Sequence, residues 1–124
     1  MLYKQYRDFT DLEWKDVANL STSLINDNVG VYSLASGDGS DWPEVTDTYI
    51  AFNGDSALGM NRETFSIPKR MRFWDDAEKR RFDELGYRIR ATKTGSAPYG
   101  VFASKLVIEL ENHFPSVIGS VSMS

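Results

Sequence analysis

A chain of 124 residues, 41% hydrophobic and 13% aromatic, suits one domain with a real core. It has no cysteine, which excludes disulfides and thiol chemistry, and its single histidine, His113, excludes any site that needs two. The net charge of −4 is uneven: residues 1–68 carry 4 basic and 11 acidic side chains (−7), residues 69–93 carry 9 and 5 (+4), and residues 94–124 carry 1 and 2 (−1), a mildly basic segment on an acidic body that falls short of a dedicated nucleic-acid binder.

The N-terminal MLYKQYRDFTDLEW is polar and lacks the apolar core of a signal peptide. No run approaches the roughly 18 apolar residues of a membrane span, so the expectation is a soluble, cytoplasmic protein without a membrane partner. Thr10 and Glu13 form a capping box, with Phe9 and Trp14 spaced as a hydrophobic staple. Trp14, Val17, Ala18, Leu24 and Ile25 then recur at helical spacing, which predicts a helix over 11–26. Residues 29–35 read as a strand with Val29, Val31 and Ser33 on one face, and residues 36–47 as a loop. Strands are predicted over 48–54 and 62–68, the second ended by Pro68.

Acids at the start, basics later and a terminal glycine predict a helix over 75–86. Residues 87–93 alternate, with Tyr87, Ile89 and Ala91 on one face and Arg88, Arg90 and Thr92 on the other. The next helix carries Tyr99, Phe102, Ala103, Leu106, Leu110 and Phe114 on one stripe, widened by Val101 and Ile108, which makes it the central buried one. Gly100 costs it a little near its start. A last strand lies within 116–123. The fold class is α+β: a single domain with a mixed or antiparallel sheet of four to five strands, about three helices on one face, and the C-terminal helix buried.

FNGD (52–55), ETF (63–65), TKTGSAPYG (92–100) and an apolar helix ending ENHF (111–114) occur in that order. Over roughly residues 49–124 this resembles a family of small uncharacterised proteins of tailed bacteriophages, which carry FNG, HETF and F-C-K-T-x-x-x-P-Y-D before an apolar helix. Arg62, Thr92 and Gly100 stand where that family has histidine, cysteine and aspartate, so any chemistry of those three groups is lost here. What remains of the pattern is Glu63, Thr64, Phe65, Lys93, Thr94, Pro98 and Tyr99. The resemblance implies a phage origin and a fold rather than a reaction.

Several candidate sites follow. At the 93–98 turn, a helix N-terminus with Lys93, Thr94 and Ser96 suits a phosphate or carboxylate, and the competing reading is a plain cap by Ser96 or Thr94 with Pro98 in the first turn. Arg88 and Arg90 would help hold the anion if their strand face is open, and otherwise sit on a solvated face. Glu63 alternates with Phe65 and is placed to point inward toward Lys93 or an arginine. Residues 69–74 interleave Lys69, Arg70 and Arg72 with Met71, Phe73 and Trp74, a mixture that suits a protein interface, core anchoring or stacking against single-stranded nucleic acid.

Asp38, Asp41, Glu44 and Asp47 crowd one loop without the order of an EF-hand, so no metal is implied. They read as a mobile acidic loop or a surface for a basic partner. His113 reads as a helix-end or core residue. The leading expectation is a non-enzymatic bacteriophage accessory protein in the host cytoplasm. It would bind a host or phage protein through 69–74, and secondarily through 38–47. Nucleic acid and a second copy of the chain are further partner classes. A small-ligand binder at 93–98 is the alternative, and an enzyme using Glu63 with Lys93 is the third reading. No cofactor is implied.

Overall fold

A computed structural model describes residues 1–121. The capping box forms as predicted: Thr10 Oγ1 accepts the Glu13 N–H at 3.1 Å, and Glu13 Oε1 accepts the Thr10 N–H at 2.9 Å. With Phe9 edge-on to Trp14 at 5.4 Å, these contacts start α1 (Asp11–Asn28), which runs two residues past the expected end. Before it lies a strand that the sequence pattern does not announce, β1 (Leu2–Gln5). After it come β2 (Leu34–Ala35), β3 (Glu44–Val45), β4 (Tyr49–Gly54), a 3-10 turn (Ser56–Leu58) and β5 (Phe65–Pro68). The chain continues through α2 (Asp76–Leu85), β6 (Arg88–Ala91), α3 (Pro98–His113) and β7 (Ile118–Ser120). Residues 122 and 123 of the expected last strand lie outside the described residues.

The class is α+β with antiparallel pairing throughout, and the strands divide between two sheets. In one sheet β1 is central, flanked by β6 (Tyr3↔Arg90, Gln5↔Arg88) and β7 (Tyr3↔Ser120, Gln5↔Ile118). In the other, β4 is the hub. It pairs β2 near its end, and it pairs β3 and β5 on opposite edges at Ile50 and Ala51. Ile50, Phe52, Phe65 and Ile67 face inward, so Tyr49, Ser66 and Thr64 fall on the outer face by alternation.

α3 packs between the sheets and buries Tyr99, Phe102, Ala103, Leu106, Val107 and Leu110. Val101 and Ile108 lie on its exposed side, at 57% and 48%, and Val107 takes the inward place that they were expected to fill. A run of aromatic contacts joins the layers, from Tyr3 to Phe65 (5.8 Å), Phe52 (5.0 Å), Phe102 (5.3 Å) and Tyr32 (5.8 Å). Among the described residues no helix is long and apolar enough to cross a membrane.

Two predicted strands change in extent, and one predicted loop gains a strand. Residues 29–33 are helix exit and turn, with Ser33 at φ 52°, and only Leu34–Ala35 pair. The strand expected at 62–68 begins at Phe65, because Arg62 is drawn to Asn53 instead. Asn53 Oδ1 accepts the Arg62 N–H at 2.8 Å, and Asn53 Nδ2 donates to Arg62 O at 2.7 Å. The 36–47 loop contains β3.

Candidate functional site: a basic, aromatic groove

Segment 69–74 is pinned through its backbone. The Lys69 N–H donates to Thr48 O, and Lys69 O accepts the Phe9 N–H, both at 2.9 Å. The Met71 N–H reaches Asp8 Oδ1 at 2.7 Å, and the Trp74 N–H reaches Glu78 Oε1 at 2.9 Å. Arg72 O accepts from Arg88 at 2.7 Å and from Arg90 at 2.8 Å. With the main chain held at so many points, the side chains of Arg70, Arg72 and Trp74 project outward. Trp74 is 81% exposed, so it is no core anchor. Phe73 is half-buried outside the core, packing on Phe82 of α2 at 5.2 Å with Lys79 over the ring.

Behind this segment stands β6, with its sense reversed from expectation. Arg88 and Thr92 are buried, while Ile89 is 46% exposed. The arginine face therefore turns in, because it finds acceptors there. Arg88 donates to Gln5 Oε1 at 2.8 Å as well as to Arg72 O. Among the described residues no carboxylate touches Arg88 and its Nε has no hydrogen-bond partner, and burial lowers its pKa. Nearby Tyr3 is pushed up to about 12, chiefly by its own burial and partly offset by Arg88. Arg90 is bound through both terminal nitrogens by the Glu78 carboxylate, which its hydrogen bonds hold below the usual range. Its guanidinium lies 4.3 Å from the Trp74 ring centre.

These two stretches form one concavity of about 1130 Å³, the groove. Tyr3, Arg88, Arg90 and Thr92 make one wall, Thr48, Tyr49, Thr64 and Ser66 another, and Lys69, Arg70, Arg72, Phe73 and Trp74 the rim. Among the described residues five cations line it and no carboxylate does. Asp11, paired with Lys69, and Glu78, paired with Arg90, sit outside the lining. Among the described residues the Arg70 and Arg72 side chains make no ion pair. Tyr3 escaped the sequence reading because β1 did. Thr64 and Ser66 carry only the period-2 signal that sets them opposite Phe65 and Ile67, and Thr48, just before β4, carries no such signal.

Glu63 and Lys93 do not join the groove. Glu63 is exposed, and it meets the backbone of Lys93 rather than its ammonium: Oε1 accepts the Lys93 N–H at 2.7 Å. At the 93–98 turn the cap is Ala97, and neither Ser96 nor Thr94 supplies a capping side chain. Pro98 has no N–H, and the Gly100 N–H is spent on Ala97 O at 3.1 Å, so few donors remain for an anion. The Thr94 hydroxyl packs toward Gly100.

In the acidic loop the carboxylates serve the loop itself. Asp38 Oδ1 accepts from the Ser36 and Ser40 hydroxyls, both at 2.7 Å, and these bonds hold its carboxyl down at about 2. Glu44 takes the Tyr49 hydroxyl at 2.7 Å. Asp41 accepts its neighbour's N–H, from Trp42 at 2.7 Å. No cluster of three or more potential metal ligands occurs among the described residues. His113 is exposed at the helix end rather than in the core, its Nδ1 3.0 Å from Glu109 O. Set against protein-family models, curated proteins and solved structures, the chain finds no match.

Proposed function

We propose that this protein acts by binding an anionic macromolecule in the groove, without chemistry of its own. The observation that carries this reading is the charge of the lining: among the described residues, five cations and no carboxylate, on a chain whose net charge is −4. A one-sign concavity with low-dielectric walls concentrates counter-charge and speeds its arrival. Arg88 adds a charge that no contacting carboxylate cancels, and Arg70 and Arg72 hold unpaired guanidinium forks at the rim. The pinned backbone of 69–74 presents them with little left to order on binding. The resemblance to tailed-phage proteins makes a phage accessory role in the host cytoplasm the setting for this reading.

The test is a panel of polyanions (oligo-glutamate, polyphosphate and oligonucleotides) titrated against the folded chain over a range of salt. At least one should bind at low salt and weaken steeply as salt rises. The Arg70→Glu/Arg72→Glu double variant should abolish that binding while melting within a few degrees of the parent. If no polyanion binds at low salt, the reading is wrong.

A further inference from the structure

Resting on the binding reading above, we infer that the occupant of the groove is single-stranded nucleic acid. Trp74 decides between polyanions. Its ring is 81% exposed, yet the Arg90 guanidinium backs it on one side, and the residue's backbone N–H is held by Glu78. The opposite face is a flat apolar platform that solvation alone does not explain. An unpaired base stacks on such a face whatever its identity. An acidic peptide would use the same cations but would leave the ring without a partner of matching shape.

The rest of the groove suits a sugar-phosphate chain. Arg70 and Arg72 precede Trp74 in one short segment, so guanidinium groups and an exposed ring line the groove together. Thr48, Thr64 and Ser66 offer hydroxyls on the facing wall. The volume, about 1130 Å³, exceeds the roughly 300–1,000 Å³ of ordinary small-molecule pockets. A duplex is disfavoured, because reading its major groove takes a protruding helix or ribbon, and here the basic and aromatic side chains line a hollow.

The experiment is fluorescence anisotropy of labelled oligo-dT and oligo-U, with a duplex of the same length and an oligo-glutamate of the same charge as comparators. Single strands should bind about ten-fold or more tightly than either comparator. Trp74→Ala should weaken single-strand binding by about ten-fold and leave the salt slope unchanged, and Trp74→Phe should restore most of it. Arg70→Gln and Arg72→Gln should each reduce the slope of log affinity against log salt by about 0.7. All three side chains are exposed, so unchanged melting temperatures will certify the variants as folded. Oligo-glutamate binding without single-strand binding would overturn this inference and leave the anionic groove standing. Equal affinity for the duplex, or indifference to Trp74→Ala, would also overturn it. Silence toward every polyanion would remove both.

Discussion

At Gly100 a methyl group would lie 2.5 Å from Thr94 Oγ1 and 2.8 Å from Thr94 Cβ. The glycine that costs α3 some propensity is therefore what lets the turn close on the helix. Gly100→Ala should destabilise the protein by about 1–3 kcal/mol in urea unfolding, outweighing the ~1 kcal/mol that alanine gains in helix propensity. Adding Thr94→Ala should recover only part of the loss, because the Thr94 Cβ contact persists. A stabilised Gly100→Ala would show that the turn yields. Glu13 makes a second residue-scale prediction. Arg7 grips both its carboxylate oxygens, at 2.8 and 2.9 Å, and chiefly for that reason its pKa falls from 4.5 to about 2. Between these values the unfolded chain binds the proton and the folded chain does not. Stability from this pair is thus complete above about 4.5 and drains away as pH falls toward 2. Glu13→Gln should flatten that acid limb in a series of thermal melts, and equal limbs would contradict it.

Among the elements, α1 was legible to within two residues, because capping box, staple and apolar period are all local signals. β6 was legible only in period. Alternation tells that Arg88, Arg90 and Thr92 share a face, and hydrophobicity says that face should be outside. The side that turns inward is settled by acceptors on other elements: Gln5 on β1 and the Arg72 carbonyl. β1 itself is four residues of mixed polarity and exists because it is paired from both sides. The groove was legible in pieces. Segment 69–74 and the two arginines each drew notice, but their meeting needs the β1–β6 pairing to place them. The β1–β6 contact carries a prediction at this scale. Gln5→Leu leaves a buried guanidinium nitrogen without its acceptor and should cost about 1.5–3 kcal/mol in urea unfolding. A neutral result would mean that Arg88 finds another acceptor.

Over the whole molecule, charge and architecture divide along the same line. The acidic excess lies in residues 1–68, where Asp38, Glu44 and Glu13 are absorbed by hydroxyls, a tyrosine and an arginine. The basic excess lies in the stretch that runs from the end of β5 through α2 and β6, and five of its nine cations line a single hollow. β1 is the seam between them, since Tyr3 donates to Ser66 O at 2.7 Å and Gln5 to Pro68 O at 3.2 Å across to the other sheet. That central strand also ties the hollow to distant parts of the chain. Leu2 waits for Ala91, and Gln5 waits for Ile118, so this sheet closes only after long loops have been drawn shut. The Arg88–Gln5 hydrogen bond depends on the same closure. The hollow therefore exists only in a chain whose two ends have been brought together in this sheet.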